Sequence, residues 1–165
     1  IGDTARLDRL VSRLLELARV DDDRSVTLPI DLAALAAATA RRPWPVPVEV
    51  SGSAISVAGR EHQISAALDN LVANATQFAE PGTAVRIALE HREHTVRISV
   101  ANRGPALSPV AQRKVWDRFY STRIASGGSG LGLAIVRSVA QAHGGTVGVS
   151  CEGGVTTFWF ELADR

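Results

Sequence analysis

The sequence predicts an α/β domain, built from a mixed sheet of about five strands or more with helices packed on it. Residues 6–20 and 61–78 carry apolar residues at the three- and four-residue spacing of one helix face. Residues 84–89 and 95–100 alternate apolar and polar side chains, as half-buried strands do. Two final strands flank the turn at Glu152-Gly153-Gly154, which completes a mixture typical of one α/β domain.

Composition limits the classes of function. The 165 residues are 45% hydrophobic and 21% charged, which suits one domain with a packed core. The net charge of +1 offers no bulk electrostatic attraction to nucleic acid or to a membrane surface. The single cysteine, Cys151, excludes an internal disulfide, and we expect it to be buried. No apolar run is long enough to span a bilayer, and the start at Ile1 in mid-pattern indicates a segment of a longer protein.

The first elements are a helix, a short strand and a second helix. About two heptads of helix are too few to hold a coiled coil, so we interpret residues 6–20 as the end of an interaction helix. Asp21-Asp22-Asp23 follows as a solvated junction. Residues 26–30 predict an edge strand, because Pro29 has no N–H to donate. Asp31 is a capping residue for a helix over residues 32–42.

The remaining elements follow from turn residues and periodicity. A proline-rich turn at residues 42–47 leads into one strand, and residues 54–58 predict another. After the helix over 61–78 and the two alternating strands, a helix is predicted near residues 109–119. A glycine- and serine-rich loop then precedes a helix that begins with GLGLAIV. We interpret His91 and His94, in the turn between the alternating strands, as solvated residues rather than metal ligands.

The glycine-rich loop, GGSGLGLAIV, raises the question of a phosphate site. Glycines directly before a helix let a ligand approach the unpaired N–H groups of its first turn, which favour an anion. Gly128, Gly130 and Gly132 therefore predict a phosphate cradle. The loop lies too late for a dinucleotide-binding βαβ unit, and Leu133 stands where a P-loop needs lysine. The alternative for the loop alone is an ordinary surface turn.

Two further groups of residues support a nucleotide site. Asn70 and Asn74 are four residues apart, so they share one face of a helix, and an amide oxygen is a hard ligand suited to Mg²⁺. The alternative is a pair of solvated or capping amides. Asn102 and Gly104 end a strand, where the amide would accept the amino group of a base and the glycine would let the ring approach. The alternative there is a polar turn.

In this order the motifs resemble one family, the ATP-binding domain of bacterial two-component sensor histidine kinases. The same superfamily holds gyrase B and the Hsp90 and MutL ATPases. NLVANATQF is similar to the N box of the family, VANRGPA to its first glycine box and VWDRFY to its F box. GSGLGLAIV resembles the second glycine box, and GGVTTFWFEL the terminal strand. RLDRLVSRLLELARVD resembles the end of the second dimerisation helix, so the resemblance covers nearly the whole chain.

The resemblance implies a fold, a division of the chain and two cofactors. The fold would be a two-layer open α/β sandwich, the Bergerat ATP-binding fold, with the sheet on three helices and an N-terminal helical stump. Residues 1–24 would be the end of the second dimerisation helix and a linker, and residues 25–165 the ATP-binding catalytic domain. ATP and Mg²⁺ would bind between helices under a lid near residues 120–128.

The resemblance also assigns the site residues. Asn70 and Asn74 would be the catalytic residues, with Asn74 the ligand of Mg²⁺ and Asn70 placing the phosphates. Phe119 and Tyr120 would anchor the lid, although a core role suits Phe119 equally well. The remaining nucleotide-binding positions are Gln77, Asn102, Gly104, Arg123, Gly128, Ser129, Gly130, Leu131, Gly132, Leu133 and Thr156.

The chain departs from the family pattern near the nucleotide. The family usually has aspartate at the position of Asn102, so we expect weaker adenine binding, because a charged acceptor makes a hydrogen bond about twice as strong. Ala106 and Val155 replace family glycines. Gln77 replaces a basic residue, which removes a cation that would face the phosphates. These departures leave a degenerate nucleotide-binding module as one alternative.

One residue of the motif that resembles the N box distinguishes a kinase from a hydrolase. Gyrase-type ATPases have glutamate where this chain has Asn70, and an amide cannot act as general base for water. A neutral imidazole is itself a nucleophile, so transfer to histidine needs positioning and charge neutralisation instead. His62 and His143 are poor acceptors at helix ends, so the acceptor is expected on a dimerisation helix outside this chain.

The resemblance implies the partners and the location as well. The partners would be the dimerisation domain of the same kinase and a response regulator, whose aspartate receives the phosphoryl group, without direct contact to nucleic acid. The intact protein would be a membrane-anchored homodimer with this part in the cytoplasm.

Overall fold

The computed structural model describes residues 2–120 and 130–164. Its centre is a sheet with helices packed on one face. The helices are α1 (Gly2–Asp22), α2 (Leu32–Ala40), α3 (Glu61–Phe78), α4 (Pro109–Lys114) and α5 (Gly132–Ala142). The strands are β1 (Leu28–Asp31), β2 (Val48–Gly52), β3 (Ser56–Gly59), β4 (Val85–His91), β5 (Thr95–Arg103), β6 (Val147–Glu152) and β7 (Val155–Ala163).

The sheet has five strands in the order β2-β4-β5-β7-β6. Strand β2 runs parallel to β4, and the other pairs are antiparallel. The prediction of a mixed sheet of about five strands is therefore confirmed. Strands β1 and β3 form a separate antiparallel pair, in which Pro29 lies opposite Ala58. Because a two-stranded sheet has only edges, Pro29 is tolerated there.

The core lies between one face of this sheet and the helices. Alternate residues of β5 and β7 are buried, and the facing sides of α3 and α5 complete the cluster. The opposite rows of β5 and β7 are only half-buried, which is the pattern of a two-layer sandwich with one open face. The apolar alternation of residues 95–100 predicted the buried row of β5 correctly.

Most element boundaries agree with the predictions. Helix α3 covers the predicted residues 61–78, and the side chain of Asp31 accepts the N–H of Ala34 at 3.1 Å as the predicted cap of α2. The two short strands are each shifted by about two residues from prediction, to Leu28–Asp31 and Ser56–Gly59. Their mutual pairing sets these limits, because Leu28 lies opposite Gly59 and Asp31 opposite Ser56.

One predicted helix is shorter than expected. The sequence indicated a helix near residues 109–119, but α4 ends at Lys114. Trp116 turns into the core, where its ring meets Phe158 edge to face at 5.7 Å. Phe119 then adopts a left-handed φ of 65°. Burial of one aromatic ring therefore ends the helix before its apolar pattern does.

Helix α1 uses only part of its predicted apolar face. Leu17 and Val20, near its C-terminal end, are buried in the core, and Leu10 is partly buried. Leu7 and Val11 are more than half exposed. Within residues 2–120 and 130–164, no helix has both the length and the apolar character that crossing a membrane requires.

Candidate nucleotide site

A pair of polar side chains is buried where the core rows of β5 and β7 end. Asn102 and Thr156 are 4% and 5% exposed, and they lie directly opposite each other in the β5–β7 ladder. Asn102 lies after the apolar residues that alternate along β5, and Thr156 lies before those that alternate along β7. Asn102 Nδ2 donates to the carbonyl of Arg103 at 3.2 Å. The Cys151 Sγ, half-buried rather than buried as predicted, lies 3.5 Å from Thr156 Oγ1.

Gly104, next to this pair, packs against the end of helix α3. Its N–H donates to the carbonyl of Gly154 at 3.2 Å. A Cβ at Gly104 would lie 2.3 Å from the Phe78 carbonyl oxygen and 3.1 Å from Asn102 Nδ2. The sequence suggested that a glycine here lets a ligand approach. Packing against Phe78 by itself requires glycine, so the approach of a ligand remains a prediction.

Asn70 contacts the beginning of helix α5. Its Nδ2 donates to the carbonyl of Ala66 at 2.9 Å, which orients the amide, and the side chain is 7% exposed. A Cβ on Gly132 would come within 3.1 Å of Asn70 Oδ1. The structure thus brings together two residues that are 62 positions apart, the first asparagine of the predicted N box and the last glycine of the predicted phosphate loop.

The N-terminus of α5 has the properties of an anion site. Asp31 caps α2 and Ser108 caps α4, but no side chain among the described residues caps α5. The first-turn N–H groups of an uncapped helix carry partial positive charge and favour an anion. This terminus lies beside Asn70, so a bound phosphate would meet both the N–H groups and the amide.

The described part of the F box joins the glycine loop through its backbone. The N–H of Phe119 donates to the carbonyl of Gly130 at 2.8 Å, and a Cβ on Gly130, whose φ is +69°, would lie 2.6 Å from the Phe119 carbonyl carbon. Phe119 is 52% exposed, so its alternative role in the core was wrong. Tyr120 is half-buried, and its N–H donates to the carbonyl of Asp117 at 3.3 Å. Predicted residues Arg123, Gly128 and Ser129 lie outside the described residues.

The other predicted site residues differ in their exposure and in the groups that a ligand could contact. Asn74 is half-buried, and its amide has no hydrogen-bond partner among the described residues, so its oxygen is available to a ligand. Gln77 is exposed. Leu131 is completely buried in the core and Leu133 partly so, which leaves their backbones as the groups that can face a nucleotide.

His143 is excluded as a phosphoryl acceptor by its contacts. Its Nδ1–H donates to the carbonyl of Val139 at 2.8 Å, and its Nε2 accepts the N–H of Arg60 at 3.0 Å. Both ring nitrogens are therefore engaged in the neutral form. Burial lowers the pKa of His143 below its ordinary 6.5. His143, which the sequence predicted to be a poor acceptor, links the beginning of α3 to the end of α5.

A cleft beside Asn70 was not predicted from the sequence. It has a volume of about 280 Å³ and lies between α1, α3 and the segment after α2. The Arg42 guanidinium lies 2.6 Å from the Asp69 carboxylate and 4.9 Å from the Trp44 ring centre. The lining residues are Arg13, Glu16, Arg42, Trp44, Ala66, Asp69, Asn70 and Ala73. They come from three distant segments, and no local pattern in the sequence connects them.

The chain matches one protein family and is similar to a curated relative. Residues 59–165 match the model of a family described as histidine kinase-, DNA gyrase B- and HSP90-like ATPase. The chain is 36% identical to the probable sensor histidine kinase TcrY of Mycobacterium tuberculosis, over 98% of this chain and 36% of that relative's length. The chain therefore spans well under half of this curated relative.

Solved structures share the fold. Full-length ShkA in complex with AMPPNP superimposes with a TM-score of 0.81 at 30% identity, covering 96% of this chain and 36% of that one. The mycobacterial sensor histidine kinase MprB gives a TM-score of 0.74 at 27% identity, covering 85% of this chain and 99% of that one. The predicted sandwich of a mixed sheet and helices is thus confirmed.

Proposed function

This chain belongs to the family of histidine kinase-, DNA gyrase B- and HSP90-like ATPases, and on that premise we propose that it is the ATP-binding catalytic domain of a sensor histidine kinase. It binds Mg-ATP and donates the γ-phosphoryl group to a histidine on the dimerisation domain of the same kinase. That histidine then passes the group to an aspartate of a response regulator. ATP as the nucleotide is supported by the family and by the AMPPNP complex of ShkA.

Two polar parts of the structure support the proposal, the buried pair Asn102 and Thr156 and the N-terminus of α5. Asn102 and Thr156 are buried at the end of two apolar rows, and Asn102 Oδ1 accepts no hydrogen bond from a described residue, so this oxygen can accept one from a ligand. We assign adenine to this end, with Asn102 Oδ1 accepting the amino group. The phosphates then bind at the N-terminus of α5, which no side chain of the described residues caps, beside Asn70.

The residues present fit Mg²⁺ bound together with phosphate. Asn74 offers an amide oxygen without a partner among the described residues, one helical turn from Asn70. No group of three His, Cys, Asp or Glu side chains in residues 2–120 and 130–164 is arranged to hold a metal by itself. Mg²⁺ with one or two protein ligands and phosphate oxygens is an ordinary arrangement. When bound, it neutralises the charge that develops on the transferred group.

Transfer to histidine fits the residues better than attack by water. Asn70 is an amide, which is not basic near neutral pH and so cannot take a proton from water, and its Nδ2 donates to the carbonyl of Ala66. A neutral imidazole needs no such base, and the chain then has only to orient the phosphates and stabilise their charge. We propose that residues 1–24 end the second dimerisation helix and that residues 25–165 form the catalytic domain. The intact protein is then a membrane-anchored homodimer whose cytoplasmic part includes this chain.

A second candidate is a nucleotide-binding module that no longer transfers phosphate. The exposed Gln77 supports it, because no cation stands at this position to face the phosphates. The uncharged Asn102 supports it as well. This candidate predicts ATP binding without phosphorylation of a supplied dimerisation fragment, whereas an ATPase of the gyrase type would turn over ATP alone.

Calorimetric titration with ATP tests the proposal. We expect saturable binding with Mg²⁺, weaker binding in EDTA, and a loss of the metal dependence in Asn74→Ala. Thr76→Ala is a control on the same helix, because among the described residues the Thr76 hydroxyl bonds only the carbonyl of Ala73. No binding at millimolar ATP would overturn the proposal. Binding followed by phosphorylation of an added acceptor helix would exclude the degenerate module.

A further inference from the structure

The C-terminal end of α1 packs on the domain through apolar side chains. Leu17 and Val20 are its buried side chains, and they lie against the core beside α5. Most of the remaining helix is exposed. Since most of the stability of a helix in a protein comes from the packing of its apolar face, α1 depends on its attachment to the domain.

A polar contact is added where α1 ends. Carboxylates at a helix C-terminus meet the negative end of its dipole, so Asp21, Asp22 and Asp23 are unfavourable for α1 itself. Asp23 reaches instead to the first turn of α3, where a carboxylate is favoured. Its Oδ2 accepts from Gln63 Nε2 at 2.8 Å and lies 2.8 Å from His62 Nε2. Gln63 is 3% exposed, so this hydrogen bond is shielded from water.

A series of hydrogen bonds connects Asp23 through Ser25 and Arg60 to the end of α5. Asp23 Oδ1 accepts the N–H of Ser25 at 2.8 Å, and Arg60 Nε donates to the carbonyl of Ser25 at 2.9 Å. The N–H of Arg60 in turn donates to His143 at the end of α5. Hydrogen bonds from Ser25, and to a smaller extent from Gln63 and His62, hold the pKa of Asp23 well below its usual range. The linker is thus tied to both helices that form the candidate site.

The attached helix also shapes the cleft beside Asn70. Arg13 and Glu16 of α1, joined to each other at 3.0 Å, form the wall opposite Asp69 and Asn70. Any movement of α1 away from the domain removes this wall. The attachment at Asp23 therefore bears on access to Asn70.

We propose that Asp23 is a latch, whose carboxylate fastens the end of α1 to the first turn of α3 and so keeps α1 as a wall of the cleft beside Asn70. Release of the latch frees α1 without unfolding the sheet and opens the cleft. The segment that covers this surface of the domain is α1 itself. The latch exists independently of nucleotide, but its importance for transfer rests on the proposed function.

Amide hydrogen exchange of the whole chain tests the latch, with Asp23→Ala as the variant. Asp22→Ala is the matched control, because it removes the same charge one residue away and Asp22 has no hydrogen bond or ion pair with any described residue. Gln63→Leu is a second variant, because it removes the buried donor and leaves no unpaired amide. We expect α1 to exchange at least about tenfold faster in both variants, since each loses a hydrogen bond to a charged group.

The expected pattern is local. Amides of β4, β5 and β7 should exchange as in the wild type, because Asp23 fastens α1 and not the sheet. Unchanged exchange of α1 in Asp23→Ala would overturn the latch. Faster exchange of the sheet together with α1 would also overturn it, because Asp23 would then stabilise the whole domain. Absence of ATP binding in the wild type would overturn the proposed function alone.

Discussion

Replacement of Gly104 by alanine separates two explanations of this glycine. The added Cβ would lie 2.3 Å from the Phe78 carbonyl oxygen. Carbon and oxygen normally approach to about 3.3–3.6 Å, so the turn and the end of α3 must separate by about 1 Å. Neither side is free to move. The N–H of Gly104 donates to the carbonyl of Gly154, and the carbonyl of Arg103 accepts the N–H of Glu80 at 2.8 Å.

The expected cost follows from this geometry. Forced overpacking of one carbon in a well-packed region costs about 1–3 kcal/mol, and the loss of a strained backbone hydrogen bond falls within the same range. We expect Gly104→Ala to lower the free energy of unfolding by about 2 kcal/mol. Urea denaturation followed by tryptophan fluorescence measures it. Gly2→Ala is the control, because a Cβ there would meet nothing within 4 Å.

Two outcomes distinguish packing from the approach of a ligand at Gly104. If Gly104→Ala unfolds at the wild-type urea concentration and yet loses ATP binding, packing against Phe78 does not explain the glycine. The approach of the ligand, which the sequence suggested, would then explain it. A loss of stability with ATP affinity retained would show that the packing explanation suffices.

Further predictions concern the buried histidine, the adenine end and the loop. Because the pKa of His143 is lowered in the native state, the unfolded state binds more protons as the pH falls through 6.5. We therefore expect the free energy of unfolding of the wild type to decrease from pH 7.5 towards the folded pKa. Urea titrations at several pH values should show a flatter profile for His143→Gln. Asn102→Asp should bind ATP about fivefold more tightly by calorimetry, since a charged acceptor adds about 1 kcal/mol. The same variant should be less stable without nucleotide, because a buried carboxylate replaces the amide that donates to Arg103; an unchanged affinity would contradict the adenine role. Gly130→Ala should weaken ATP binding at least about tenfold, because both its φ of +69° and the carbonyl carbon of Phe119 oppose a Cβ; wild-type affinity would contradict that prediction.

Local patterns in the sequence determined the elements and the family. The limits of α3, the cap at Asp31 and the alternation of β5 and β7 follow from periodicity and capping, which depend on neighbours in the chain. The motifs that predicted an ATP-binding domain are also contiguous, so their order could be read directly. The placement of Asn102 opposite Thr156 follows once the two strands are known to be neighbours.

Only the tertiary structure decided the contacts between distant segments. Trp116 ends α4 early because its ring finds Phe158, and Gly104 must be glycine because of Phe78. The cleft beside Asn70 and the attachment of Asp23 to Gln63 likewise join segments that are far apart in the chain. A sequence pattern records the surroundings of each residue along the chain, whereas packing and hydrogen bonding depend on which surfaces meet after folding. The residue types of the candidate site could therefore be read from the sequence, whereas the contacts that hold them in position could not.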